Sequence, residues 1–273
     1  MPDDDGPGLA PDGLAPKGRS AGAIAAGRAV NIAPMQITVA RRFRGPPTSG
    51  NGGYTCGRLA VLVGNPAEIT LRAPPPLETP LQVLRQDGVV SLMHGERLVA
   101  EGKAATLELE VPAPPSREEA QAAGRRFSGL KHHPYDTCFV CGPRRGERDG
   151  LRIFCGPWKD GRVAGTWTPD ATLDDGKGFV APEFLWSAID CPGSWSVIGR
   201  DDADAPAGLV SPGALLGRLT GRLLRQLRVG EACTAIGWFL GAEGRKYHVG
   251  TAVHTLAGEL VACSKGTWIA LKG

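Results

Sequence analysis

The sequence predicts an α+β protein built from two copies of one unit, and three observations carry that expectation. Each half of the chain holds one helix-like stretch, 51–63 and 181–190, flanked by strand-like segments. Gly95-Glu96-Arg97-Leu98-Val99-Ala100 is echoed by Gly258-Glu259-Leu260-Val261-Ala262, each followed by a lysine and a last apolar strand. Asn51-Gly52-Gly53 opens the first helix where Ala181-Pro182-Glu183 opens the second.

In chain order, residues 1–34 start with Asp3, Asp4 and Asp5 and continue through Gly, Ala and Pro. So few apolar side chains cannot offset the entropy of ordering, and a disordered tail is expected. The N-terminal half, 35–112, begins with a strand at Ile37 and Val39 that ends in Gly45-Pro46-Pro47. Asn51 is a good N-cap, and Gly64 and Pro66 are stop signals, so a helix is expected between them. Strands follow around 68–72, 81–85, 89–93 and 98–111. Residues 113–136 read as a linker, with Pro114 and Pro115 ahead of a helical charge pattern over 117–126.

The C-terminal half, 137–273, is expected to repeat the order, with strands at 150–155 and 162–168 and then the second helix. A loop rich in Asp, Ala, Pro and Gly spans 200–213. Leu216, Leu219, Leu223 and Leu227 have helical spacing, but Gly217 and Gly221 weaken a helix there. The repeat calls for a strand, which is the reading adopted. Strands at 232–241, 245–255 and 259–271 complete the half.

Composition excludes several function classes. With 42% hydrophobic residues in 273, the chain can bury a real core. A net charge of +3 from 31 basic and 28 acidic residues lacks the basic excess of a nucleic-acid binder. No apolar run approaches the roughly 18 residues a membrane span needs. Seven scattered cysteines, an odd number, and the lack of an export signal point to a reducing, cytoplasmic setting.

The second helix draws attention first. Pro182 suits a first helical position, and Phe184, Leu185, Ala188 and Ile189 follow at helical spacing, so an apolar helix carries one acid, Asp190. A carboxylate there loses hydration and must face a polar cavity or a partner, which makes it the first candidate for chemistry. The competing reading is a structural acid bonded to backbone groups that Pro192 disturbs.

Cys138-Phe139-Val140-Cys141-Gly142, then Gly150-Leu151, then Ala188-Ile189-Asp190, with Asn51-Gly52-Gly53-Tyr54 at a helix start, resemble the signature of the hotdog-fold thioesterase superfamily, in its PaaI-like and acyl-CoA thioesterase-like forms. The resemblance spans about 36–271 and implies a double hotdog: two antiparallel sheets, each wrapped around a long helix, forming a pseudodimer in one chain. Asp190 stands nine residues after Ala181, and Ala60 nine after Asn51, the spacing that the family places between helix start and acid. The first half thus keeps the glycines but has Ala60 for the acid. The second keeps the acid but has Ala181-Pro182-Glu183 where the family has His-Gly-Gly.

Family sites resemble composites of two units, so the resemblance implies one complete site hydrolysing an acyl-CoA or acyl-carrier thioester. Asp190 would be general base or nucleophile, the N–H groups of Gly52 and Gly53 oxyanion donors, and Asn51 an extra donor. Ser187 and Ser194 would orient the substrate, and Trp186, with Trp195, would wall an acyl pocket. A non-catalytic acyl-CoA-binding or regulatory protein is the alternative. An enoyl-CoA hydratase of the same fold is disfavoured, because no histidine stands within five residues of Asp190. The resemblance is compatible with a homodimer of such pseudodimers.

No cofactor is expected. Cys138 and Cys141, with His132, His133 and Cys155, are weak metal candidates, since one Cys-x-x-Cys is half of a structural zinc pattern, and a reduced pair in a turn is favoured. Cys191 reads as a small buried residue. The arginines of 218–228 fit either the phosphates of coenzyme A or a solvated strand face.

Overall fold

A computed structural model describes residues 35–198 and 213–271; the expected tail, 1–34, and almost all of the loop expected at 200–213 lie outside the described residues. The elements, in order, are β1 (Gln36–Thr38), α1 (Gly52–Val63), β2 (Ala67–Leu71), β3 (Pro80–Gln86), β4 (Val89–His94) and β5 (Arg97–Ala104), followed by α2 (Arg117–Gly124) in the linker. Then come β6 (Gly156–Pro157), β7 (Val163–Trp167), α3 (Pro182–Ala188), α4 (Cys191–Trp195), β8 (Ala214–Leu223), β9 (Cys233–Glu243), β10 (Lys246–Thr255) and β11 (Leu260–Ala270).

Alternating burial makes the strands. In β3, Leu81 and Val83 are buried between exposed neighbours, as a sheet with one covered face requires. The strands form one sheet in the order β1-β3-β4-β5-β2-β8-β11-β10-β9-β7-β6, and every ladder in it is antiparallel. The order β1-β3-β4-β5-β2 recurs, reversed in direction, as β8-β11-β10-β9-β7. The two expected sheets are therefore joined into one. Ala67–Thr70 of β2 pair with Gly221–Arg218 of β8, because either strand left as an edge would present unpaired N–H and C=O groups.

Leucine spacing notwithstanding, 214–223 is a strand. It is paired on both sides, to β2 and β11, and that ladder outweighs a helix already weakened by two glycines. Two sequence expectations are corrected. Residues 150–155 form no strand; Leu151 and Ile153 donate their N–H groups to the carbonyls of Phe139 and Val140, so the segment lies along the Cys-x-x-Cys turn instead. The strand expected over 98–111 stops at Ala104, beyond which Leu107, Leu109 and Val111 pack against the apolar cluster around Ile236 and Trp238. The linker helix does form, closed by a capping box between Ser116 and Glu119.

The expected long second helix is also corrected: it is two short pieces. Pro192 has no N–H to return to Ala188, so α3 ends there, and the chain turns at Ile189 and Asp190 before α4. The carbonyl of Ile189, freed by that break, accepts from Ser264 Oγ on β11 at 2.7 Å.

Helices α1 and α3 lie against each other. Their approach depends on Gly53 and Gly57, one turn apart. A Cβ on Gly53 would stand 2.5 Å from Asp190 Cβ, and one on Gly57 would stand 2.6 Å from Glu183 Cα.

Candidate active site

The site is built around the first turn of α1. Asn51 is extended, with φ −62° and ψ 136°, and its Oδ1 accepts the Tyr54 N–H at 2.8 Å, so the cap read from the sequence is present. That bond turns Nδ2 of the same amide outward, where it donates to Asp190 Oδ2 at 3.1 Å. Gly53 N–H donates to the same oxygen at 2.8 Å. One side chain thus caps a helix of the first half and holds the acid of the second.

Asp190 is 1% exposed, and its other oxygen, Oδ1, has no hydrogen-bond partner among the described residues. Burial pushes its pKa up to about 7; the Gly53 N–H and the Asn51 amide pull it down, and negative charge on Cys138 adds to the rise. A carboxyl poised there can exchange a proton near neutrality.

Gly52, the first residue of α1, has an N–H with no partner among the described residues, whereas the N–H of Gly53 is engaged by Asp190. The free donor at the positive end of α1 is therefore Gly52. Gly52, Asn51 and Asp190 all border a cavity of about 450 Å³. Its walls are mainly apolar, with Leu71, Pro75, Trp195, Leu216 and Trp268, and Arg72 and Arg245 are its cations. Residues of both halves line it.

The other expected site residues divide. Ser194 borders the cavity, with its Oγ donating to the Cys191 carbonyl at 2.8 Å. Ser187 is turned back on its own helix, donating to Glu183 O at 2.7 Å, and does not border the cavity. Trp186 packs into the apolar cluster of the first half, its ring against Gly221 of β8, and Trp195 takes the wall position instead. Three of the four arginines of 218–228 face acids or a ring: Arg218 lies 3.9 Å from Glu68, Arg225 bridges Glu231 and Glu259, and Arg228 stacks over Phe179.

Cys138 and Cys141 also border the cavity, and Cys191 joins them, with 3.8 Å between the sulfurs of Cys138 and Cys191. His133 Nε2 lies 3.3 Å from Cys141 Sγ. Cys155, grouped with the pair on sequence spacing, is elsewhere, its thiol 3.6 Å from the Ala235 carbonyl. Hydrogen bonds from the Cys141 and Cys191 thiols hold Cys138 well below the usual thiol range, while burial drives Cys141 upward. The sequence already grouped His133 with the pair, whereas Cys191 carries no motif and only the fold adds it.

No protein-family model matches the chain, and no curated protein does. Solved structures do match. A candidate thioesterase of Novosphingobium aromaticivorans DSM 12444 superposes with a TM-score of 0.55 at 14% identity, covering 87% of this chain and 95% of its own. The tesB protein of Mycobacterium avium subs paratuberculosis gives 0.51 at 12% identity, covering 82% and 88%. At these identities the likeness is one of fold: the chain has the hotdog fold. Both matches take in both halves, so the hotdog likeness is to the whole sheet and its helices and not to one unit of it.

Proposed function

We propose that the chain is a double-hotdog pseudodimer that hydrolyses an acyl-CoA or acyl-carrier thioester at one composite site. The observation that carries this reading is the bond pair on Asp190. An acid from the second half is held by the Gly53 N–H and the Asn51 amide at the helix start of the first, beside an apolar cavity. In this reading the thioester carbonyl lies at the N-terminus of α1, where the Gly52 N–H donates to the oxygen as it becomes an anion. Asp190 Oδ1 takes a proton from the attacking water, the hydroxyl adds to the carbonyl carbon, and the intermediate collapses with cleavage of the C–S bond. The proton then passes to the departing thiolate, which regenerates the carboxylate. The apolar walls would hold the acyl chain, and Arg72 and Arg245 are the cations available to carrier phosphates.

A second reading, an acyl-CoA-binding protein without turnover, is favoured by one observation. Asp190 already occupies the Gly53 N–H, which leaves a single free donor for an oxyanion. Release of free thiol from acyl-CoAs of graded chain length, compared between wild type and Asp190→Asn, separates the two. Loss of at least ~100-fold in the variant is expected for a general base. If neither protein releases thiol while both bind acyl-CoA, the binding reading replaces the hydrolase.

A further inference from the structure

Three of the seven cysteines, none of them in a disulfide, converge from two distant parts of the chain. The sulfurs of Cys138, Cys141 and Cys191 all lie within 4.8 Å of one another, and those of Cys138 and Cys191 are 3.8 Å apart. A disulfide would bring two sulfurs to about 2 Å. Thiolates at about 2.3 Å from a tetrahedral ion stand roughly 3.8 Å from each other.

The Cys138–Cys141 turn has the shape of a metal-binding knuckle. Gly142 N–H closes it on the Cys138 carbonyl at 2.9 Å, and the turn is so tight that a Cβ at 142 would stand 2.5 Å from that oxygen. Cys191 approaches from the opposite side, delivered by the break that Pro192 makes between α3 and α4.

The polar groups around the sulfurs are mostly donors, as thiolates require. Tyr135 N–H donates to His133 Nδ1 at 2.9 Å, which places the ring proton on Nε2, 3.3 Å from Cys141 Sγ. Asn51 Nδ2 lies 3.9 Å from both Cys138 and Cys191. Among the described residues the acceptor in reach is Asp190 Oδ2, 4.0 Å from Cys191 Sγ.

We propose that Cys138, Cys141 and Cys191 bind one soft divalent cation of the zinc class as three thiolates, with His133 and Asn51 donating to the sulfurs and a water from the cavity in the fourth position. Binding releases the protons that the thiols still carry and leaves a centre of net charge −1, which the surrounding N–H groups stabilise. The ion ties the Cys-x-x-Cys turn to the chain break at Asp190 and, through Asn51, fixes the amide that holds the acid. The proposal stands on the sulfur geometry and does not require the reaction proposed above.

The test uses the full chain, stripped with a chelator under reducing conditions and reloaded with Zn²⁺ or Co²⁺. About one equivalent of zinc per chain is expected after exhaustive dialysis. The cobalt form should show a sulfur-to-metal charge-transfer band of three-thiolate intensity, and native zinc protein should shield three thiols from a thiol reagent that the stripped protein exposes. Cys191→Ser should lose the metal, whereas Cys155→Ser and His133→Ala should keep it. If Cys191→Ser does not fold, the cobalt band and thiol protection of the wild-type chain decide. Less than a tenth of an equivalent of zinc with all thiols reduced overturns the proposal, as does equal metal loss in Cys155→Ser.

Discussion

The two halves share a strand order but open their helices differently, and the difference bears on the proposed composite site. α1 begins with a side-chain cap and a free Gly52 N–H; α3 begins with Ala181, which offers no cap, and Pro182, which has no N–H to give. Nine residues on, the situation reverses: Ala60 is buried among apolar side chains, while Asp190 sits at a break in its helix. The cavity at the Asn51 end measures about 450 Å³, and the one beside Pro182 about 270 Å³, lined there by Leu185 and Leu223 with Arg225. Under the proposed function, one pole, lined by both halves, keeps the reaction and the other serves packing alone.

That contrast can be broken most severely by restoring the missing acid. Ala60→Asp places a charge in the core of the first half, where no described partner awaits it. It should cost more than about 3 kcal/mol in denaturant unfolding and create no second activity. A folded Ala60→Asp protein with doubled thiol release would show that the Pro182 pole is functional after all.

Gly53 and Gly57 sharpen the contrast at smaller cost. Alanine at either position overpacks the α1–α3 contact and should lower stability by about 1–3 kcal/mol. Gly53→Ala pushes directly on Asp190 and should also cut thiol release by about tenfold or more; Gly57→Ala meets Glu183 and Trp186 and should spare most of it. Equal rate losses in the two variants would mean that the acid is not held by this approach.

The smallest effect concerns two histidines at matching strand ends. His94, closing β4, is exposed, whereas His254, next to last in β10, is 3% exposed and burial lowers its pKa from 6.5 to about 4. Below 6.5 the unfolded chain takes up a proton that the folded chain refuses until about pH 4, so stability falls as pH drops through that window. A loss of about 2 kcal/mol is expected there. His254→Gln should flatten that part of the pH–stability curve.

Much of this was legible in one sequence. The cap at Asn51 and the stop at Gly64 followed from local chemistry, and the strand read over 215–228 followed from the repeat, although it ends at Leu223. The break at Asp190 was harder to read, although Pro192 is its cause, because apolar spacing ran through it. The sequence also made Trp186 and Trp195 equal candidates for the cavity wall, and side-chain direction at the break chose Trp195.

By itself, then, the sequence determined the unit, its duplication and the asymmetry between Asn51-Gly52-Gly53 and Ala181-Pro182-Glu183, since propensity, capping and missing N–H groups are properties of neighbours along the chain. Only the tertiary structure decided that Asn51 and Gly53 share one carboxylate oxygen 137 to 139 residues away, and that Cys191 completes a cluster begun 53 residues earlier. Those distances depend on how closely α1 and α3 pack and on where Pro192 ends a helix, quantities that belong to the folded pair and not to either segment alone.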